Sequence, residues 1–103
     1  MGTLSTHVLD TAAGRAGAGI TVTLTRREGE ELGVDVTDID GRVASIGPDI
    51  LEAGDYVLRF DTGSYGNDFY PEVVVVFTIA DPGQHYHVPV LLSPYGFTTY
   101  RGS

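Results

Sequence analysis

Hydrophobic and polar side chains alternate with a period of two along most of this sequence. Ile20, Val22 and Leu24 are interleaved with threonines, which is the pattern of a strand with one buried face. No segment of about ten residues or more shows the apolar spacing of an amphipathic helix. The glycine-containing segment 62–68 is predicted to form a loop or a single helical turn. The pattern therefore predicts an all-β protein with at most one short helical turn.

The same alternation returns between turn signals and divides the chain into about eight predicted strands. They cover residues 3–9, 20–25, 32–37, 42–45, 55–61, 73–77, 85–92 and 97–101. In the strand 55–61, Tyr56, Leu58 and Phe60 share one face, and Val57 and Arg59 share the other. Strands this closely spaced and joined by short turns are typical of a two-sheet β-sandwich.

Two segments are interpreted from their residue types. The run 73–77 is almost entirely valine and is predicted to be a strand buried on both faces. Asp40 and Gly41 form a strong tight-turn signal. This signal predicts that strand 32–37 turns back as a hairpin, which places Arg42 directly after the tip.

Length and composition favour one cysteine-free domain. The chain has 103 residues, the usual size of one domain, and no linker or repeat divides it, so 1–103 is interpreted as a single domain. A domain this small buries only about 60 to 70% of the surface of its unfolded chain, which makes oligomerisation an expected source of further burial. The absence of cysteine excludes disulfides and thiolate metal sites and fits a reducing compartment. We expect a cytoplasmic protein.

Charge and hydropathy narrow the classes of partner. The net charge of -8 argues against a nucleic-acid partner and against an anionic membrane surface. The longest strongly apolar stretch, 73–80, is far shorter than the roughly 20 residues that a transmembrane helix needs. Patterned sequence begins at about Leu4 without the profile of a signal peptide. The expected partners are a small molecule and further copies of the chain.

The three histidines are the first candidates for chemistry near neutral pH. His7 shares a strand face with Ser5 and Leu9, and His85 and His87 share a face because they are two apart. With His7 as a third ligand, this pair has a spacing that can hold zinc, so a metal-dependent enzyme is one alternative. The other interpretations are a surface histidine without a task at position 7, and a pair with one imidazole in a pocket and one on its rim.

Arg42 and the chain end 100–103 are ambiguous from the pattern alone. An arginine beside a turn is usually solvated. Terminal residues are usually frayed unless something docks them. Periodicity assigns no function to either position.

Four segments carry more specific information than periodicity does. They are Leu-Ser-Thr-His-Val-Leu-Asp at 4–10, Asp-Gly-Arg at 40–42, His-Tyr-His-Val-Pro at 85–89 and Tyr-Arg-Gly-Ser at 100–103. Together they resemble the 5-hydroxyisourate hydrolases, and the closing tetrapeptide is that family's most specific mark. The connecting sequence fits as well, so the resemblance covers essentially the whole chain. It implies the eight-stranded, two-sheet sandwich of transthyretin and a homotetramer, a dimer of dimers with active sites at the dimer–dimer interface.

The resemblance also implies a reaction and the residues that perform it. Members of the family hydrolyse 5-hydroxyisourate to 2-oxo-4-hydroxy-4-carboxy-5-ureidoimidazoline in urate catabolism, without a metal or an organic cofactor. The implied catalytic residues are His7, Arg42, His87 and Ser103. The implied substrate-binding residues are His7, Arg42, Tyr100, Arg101 and Gly102.

A transthyretin-like module that binds a small ligand without converting it is the alternative function. Transthyretin lacks the Tyr-Arg-Gly-Ser ending and this set of histidines and arginine. The segment 100–103 therefore favours the hydrolase over the carrier.

Overall fold

The computed structural model describes residues 4–102, which form nine strands and one short helix. The elements in chain order are β1 (Leu4–Asp10), β2 (Arg15–Ala16), β3 (Thr21–Arg26), β4 (Glu31–Val36), β5 (Arg42–Val43), β6 (Gly54–Phe60), α1 (Thr62–Tyr65), β7 (Val73–Ile79), β8 (Tyr86–Ser93) and β9 (Gly96–Thr99). The predicted all-β fold is confirmed. Each predicted strand is present, and the two-residue β2 is the addition.

The strands form two sheets. The first sheet has the order β2-β1-β8-β9, with β5 also paired to β1, and the second has the order β4-β3-β6-β7. β2 and β5 pair with successive parts of β1, at Leu9 and Asp10 for β2 and at Thr6 and His7 for β5. β1 and β8 run parallel, whereas the other paired strands are antiparallel. β1 therefore lies inside the first sheet, flanked by β8 and by the two short strands.

Alternate side chains of both sheets meet in one buried core. On β1, Leu4, Thr6 and Val8 are at most 1% exposed, so Ser5 and His7 lie on the opposite, outer face of the first sheet. The second sheet shows the alternation that the sequence predicted. Its buried residues include Val22, Leu24, Tyr56, Leu58 and Phe60, together with Ile20 directly before β3. Packing of the two inner faces thus fixes which side chains the first sheet presents outward.

The valine run of β7 is buried on one face only. Val73 and Val75 are 0% and 8% exposed, whereas Val74 and Val76 are 41% and 50% exposed. The prediction of burial on both faces is wrong because a sheet in a two-layer sandwich is covered on its inner face only. Within residues 4–102, no element packs on the outer face of β7.

The tight turn before Arg42 connects the two sheets and does not form a hairpin. The Gly41 amide donates to the Asp38 carbonyl at 2.9 Å, so the turn itself is present. However, β4 pairs with β3, and β5 pairs with β1 in the other sheet. The predicted hairpin is wrong because the turn docks on β1: the Val8 amide donates to the Gly41 carbonyl at 2.8 Å. Gly41 has a φ of +75°, and a Cβ there would overlap the Val8 carbonyl oxygen, so glycine allows this close approach.

The helix α1 is a single turn, as the glycine-containing segment predicted. Asp61 caps its start by accepting from the Ser64 amide at 3.2 Å, and Gly66, with a φ of 126°, ends it. The Tyr65 hydroxyl donates to the Asp10 carboxylate at 2.6 Å, which attaches the helix to the end of β1. No helix in residues 4–102 is long and apolar enough to cross a membrane.

Replacing Tyr65 with phenylalanine is expected to destabilise the fold by about 1 kcal/mol near neutral pH. The Tyr65 hydroxyl is the main cause that lowers the pKa of Asp10 in the folded chain. A lowered carboxyl pKa contributes stability above the usual aspartate range and loses that contribution as pH falls through the folded pKa. The destabilisation should therefore shrink toward acidic pH in paired urea titrations.

Tyr95→Phe is the matched control, because Tyr95 is 80% exposed and its hydroxyl has no hydrogen-bond partner among residues 4–102. It should leave the urea midpoint unchanged at every pH. A Tyr65→Phe effect that stayed constant between neutral and acidic pH would contradict the proposed charge-assisted bond.

Candidate active site

Strand register brings three of the four sequence motifs together on the outer face of the first sheet. Arg42 of β5 lies opposite His7 of β1, and Ser5 of β1 lies opposite His87 of β8. His87 is in turn bridged to Gly102 of the chain end, which brings in the fourth motif. Neighbouring strands are about 4.8 Å apart, so these residues span a patch only a few strands wide. The long-range pairing of β1 with β8 makes this assembly possible.

His7 is fixed by the turn that precedes Arg42. Its Nε2 lies 2.9 Å from the backbone carbonyl oxygen of Asp40. A carbonyl oxygen only accepts hydrogen bonds, so Nε2 carries the proton and donates it. In the neutral ring, Nδ1 then holds the lone pair. The turn thus determines which nitrogen of His7 can accept a proton or a hydrogen bond.

Asp38 organises the turn and is not among the site residues predicted from the sequence. Its carboxylate accepts from the backbone amides of Asp40 at 2.9 Å and Arg42 at 3.0 Å. It therefore positions both the carbonyl that binds His7 and the backbone that carries Arg42. The signal was present in the sequence, since aspartate is favoured at the first position of a tight turn.

His87 is a half-buried imidazole in a positively charged setting. Burial is the largest cause that lowers the pKa of His87, and the nearby charges of His7, Arg42 and His85 lower it further. Since the ordinary histidine pKa is about 6.5, His87 is neutral at pH 7. A neutral ring has one nitrogen lone pair, which is the requirement for a general base.

Ser5 joins His85 and His87 and is a second residue that was not predicted from the sequence. Its Oγ lies 2.8 Å from His85 Nε2 and 2.7 Å from His87 Nδ1. The two imidazoles leave the same face, as their spacing predicted, with His85 exposed and His87 half-buried. Among residues 4–102, no group of three or more His, Asp or Glu side chains is arranged to hold a metal ion. The zinc alternative therefore depends on sequence spacing alone.

The end of the chain is docked beside His87 through residue 102. The Gly102 amide donates to the His87 carbonyl at 2.8 Å. A Cβ at Gly102 would lie 2.5 Å from His87 Cδ2 and 3.3 Å from Pro89 Cγ. Glycine is therefore required for the chain end to pass directly over the imidazole. A frayed end, one of the interpretations of the sequence, does not describe residue 102.

The structure separates Arg101 from the other predicted site residues. Its guanidinium lies over the Tyr86 ring, 4.5 Å from the centroid, and donates to Gln84 Oε1 at 3.0 Å. Tyr86 faces the core and His87 faces outward, because neighbours on a strand point to opposite sides. Arg101 thus anchors the chain end from the side opposite His87.

Tyr100 and Ser103 complete the predicted set. Tyr100 is 52% exposed. Ser103 lies outside the described residues. The roles of all the predicted site residues, including these two, stay predictions.

A family model described as the HIUase/Transthyretin family matches residues 4–102. The chain belongs to this family. The 5-hydroxyisourate hydrolase of Mus musculus is 45% identical, and the match covers 97% of this chain and 94% of the relative. The structure of Klebsiella pneumoniae 5-hydroxyisourate hydrolase has a TM-score of 0.89 and 40% identity, with coverage of 98% of this chain and 99% of that one.

The HIUase/Transthyretin family also includes transthyretin, as the resemblance implied. Sea bream transthyretin in complex with thyroxine has a TM-score of 0.83 and 27% identity, with coverage of 97% of this chain and 94% of that chain. The predicted transthyretin-like sandwich is confirmed by these neighbours. Because proteins with different names share this fold, fold alone does not assign a function, and the site residues must do so.

Proposed function

We propose that this chain hydrolyses 5-hydroxyisourate to 2-oxo-4-hydroxy-4-carboxy-5-ureidoimidazoline in urate catabolism. The observation that carries the proposal is the convergence of His7, Arg42, His87 and Gly102 on one sheet face. Relatives that match nearly the whole chain at 40 to 45% identity carry the hydrolase name. The first observation concerns the geometry of the site, and the second concerns the overall sequence.

His87 is the proposed general base. It is neutral near pH 7. Its Nδ1 lies 2.7 Å from Ser5 Oγ, so Nε2 is the ring nitrogen available to water and is proposed to take the proton. His7 binds the same water through Nδ1, since its Nε2 is committed to the Asp40 carbonyl. The oxygen of water then adds to a ring carbonyl carbon. The carbon–nitrogen bond of the ring breaks, and the departing nitrogen receives the proton held by His87.

Arg42 is proposed to stabilise the oxyanion that forms at the attacked carbonyl. Its guanidinium offers several donors in one plane, a geometry that suits two oxygen atoms of a flat heterocycle. Donors placed where negative charge develops are worth about 10² to 10³ in rate. Its charge also acts on His87 and helps to keep that imidazole neutral. Arg42 thus serves both the substrate and the base.

The chain end is proposed to close the site. Gly102 contacts the His87 ring, and Arg101 holds the strand from the other side through Tyr86 and Gln84. Ser103, the predicted fourth catalytic residue, follows directly after Gly102 and is proposed to form the pocket wall with Tyr100. Arg101 then contributes to substrate binding by positioning this segment.

A homotetramer, built as a dimer of dimers, is the proposed assembly. The site lies on the open outer face of a sheet, so a second chain is needed to enclose a substrate and exclude water. The transthyretin-like fold of the family supports such an assembly. We further propose that the enzyme acts in the cytoplasm with no cofactor and no metal, and that nucleic acid and membranes are not its partners.

The test generates 5-hydroxyisourate in place from urate and follows its ultraviolet decay with and without the protein. Acceleration over buffer is expected. Saturable binding without acceleration of the decay would instead support the transthyretin-like binding module. Full activity after chelator treatment is expected as well, and its loss with recovery on adding zinc would favour the metal-dependent alternative.

Replacing Gly102 with alanine is expected to lower kcat/KM by about 10²-fold. The added Cβ would lie 2.5 Å from His87 Cδ2, so the imidazole must move, and a displacement of about 1 Å at a reacting group can cost about this much. The ultraviolet decay assay measures the effect. The fold should remain intact, because residue 102 lies beyond β9.

Gly96→Ala is the control, at the start of β9. A Cβ at Gly96 would meet Ser93 Oγ at 3.4 Å, which is an ordinary contact far along β9 from His87. Its kcat/KM should match that of the parent chain. Equal activity in the two alanine variants would show that Gly102 does not set the position of His87.

A further inference from the structure

The hydroxyl of Ser5 is the link between two imidazoles. Ser5 is 9% exposed, and its Oγ contacts His85 Nε2 at 2.8 Å and His87 Nδ1 at 2.7 Å. The parallel register of β1 and β8 places Ser5 directly opposite His87. Ser5 and His85 lie within two motifs of the resemblance, but neither is among the site residues that it implies.

Counting protons restricts how these three groups can be paired. A serine hydroxyl has one proton to donate and accepts through its lone pairs. The hydroxyl can therefore donate to only one of the two ring nitrogens. If it donates to His85 Nε2, it accepts from His87 Nδ1, and if it donates to His87 Nδ1, it accepts from His85 Nε2. If it donates elsewhere, it accepts from both rings, and the His87 proton is again on Nδ1. The proton on His87 lies either on Nδ1, toward Ser5, or on Nε2.

The orientation of the His87 ring gives these two positions of the proton different consequences. Nδ1 points to Ser5 on one side, and Cδ2 faces Gly102 on the other. Because Cγ joins the ring to the strand, Nε2 lies at the end of the ring that points away from the sheet. The charged and titratable groups that act on this ring are His7, Arg42 and His85. The positive charge of Arg42 disfavours a second proton on this ring, which keeps one nitrogen lone pair free.

We propose that Ser5 and His85 are positioning residues that select the tautomer of His87. Ser5 Oγ accepts the proton of His87 Nδ1 and donates its own proton to His85 Nε2, which leaves His87 Nε2 unprotonated toward the substrate. This inference rests on the proposed function for its kinetic consequence, but the tautomer itself exists without substrate. It extends the site by two residues that do not contact the reacting atoms.

The direct test is 1H–15N correlation NMR of the imidazoles in the full chain labelled with 15N-histidine, at a pH where His87 is neutral. In the parent protein, His87 should carry its proton on Nδ1. In Ser5→Ala, Nδ1–H loses its acceptor, and the proton should shift to Nε2, the tautomer that a free histidine side chain prefers. A proton on Nε2 in the parent chain, or no change in Ser5→Ala, would overturn the proposal.

Kinetics give a second test. One of its variants replaces His85, which is exposed, so the core stays intact. Ser5→Ala and His85→Leu should each lower kcat about tenfold, the size expected for one lost hydrogen bond, with KM unchanged. The double variant should lose no more than Ser5→Ala alone, because both act through one chain of bonds. His85→Gln should recover most of the loss, since its amide oxygen can accept from Ser5.

Two outcomes separate this proposal from the proposed function. Losses that multiply in the double variant, or that fall on KM, would overturn the link through Ser5 and leave the hydrolase activity in place. A chain inactive on 5-hydroxyisourate but with the expected tautomer change would overturn the function and retain the link. Ser64→Ala is the control, because Ser64 lies on α1 and its hydroxyl bonds only to Asp61 among residues 4–102. The kinetics and imidazole spectrum of this variant should be unchanged.

Discussion

Replacing His87 with asparagine is expected to lower kcat for 5-hydroxyisourate by about 10² to 10⁴-fold, the range of positioned acid–base catalysis. Asparagine is informative because its amide reaches approximately the position of Nδ1. It can keep the bond to Ser5 that now spans 2.7 Å, while Nε2 is removed. The backbone bond from Gly102 to residue 87 is also retained. The variant should therefore fold and dock its chain end normally.

The pH profile supplies the specific readout for His87. A base must be unprotonated to act, so log kcat/KM of the parent chain should fall as pH drops through the pKa of His87. That pKa is lowered from 6.5, so the acid limb should lie below the range of an ordinary histidine. The acid limb should vanish from the residual activity of His87→Asn. A variant with near-parental turnover and an unchanged limb would remove His87 from the mechanism.

Local pattern was sufficient to predict the strands. Alternation at Val22 and Leu24 and at Leu58 and Phe60 corresponds to burial in the core, because one face of each strand packs on the other sheet. The same reasoning failed at Val74 and Val76, the two outward valines of β7. Hydrophobic residue type alone does not reveal whether another layer covers that face of the strand.

The site depends on sheet order and register, which local pattern does not contain. Ser5 and His87 are paired only because β1 and β8 run parallel in one register, and a shift by one residue would turn one of them to the other face. The Asp40-Gly41 signal predicted a turn, but it did not predict that the strand after the turn, β5, joins the other sheet. The family resemblance pointed to Arg42 and His87 directly, but it did not indicate Ser5.

Arg101 illustrates the limit of transferring roles by motif. The motif places it among the substrate-binding residues, yet its guanidinium stacks on Tyr86 and bonds Gln84. Consecutive residues of an extended chain end point to alternate sides, so Arg101 and Gly102 cannot both face His87. A motif identifies the segment that matters, and the strand geometry divides its tasks.

Replacing Arg42 with lysine is expected to lower kcat/KM by about 10²-fold although the charge is retained. The planar fork of donors is lost, and a single ammonium cannot bind two oxygens of a flat substrate in the same way. The backbone position should not change, because Asp38 holds the amide of residue 42 at 3.0 Å. Arg27→Lys, at an exposed position after β3, is the matched control and should retain full activity.

Arg42→Gln separates the donor function of this residue from its charge. The Arg42 charge is one cause that lowers the pKa of His87, so removing the charge should raise that pKa. Arg42→Gln should therefore move the acid limb of the pH profile to higher pH, in addition to losing rate. Arg42→Lys should leave the limb near its parental position, because a positive charge remains. An unshifted limb in Arg42→Gln would mean that Arg42 acts on the substrate alone, and a shift in both variants would mean that the position of His87 itself depends on the guanidinium.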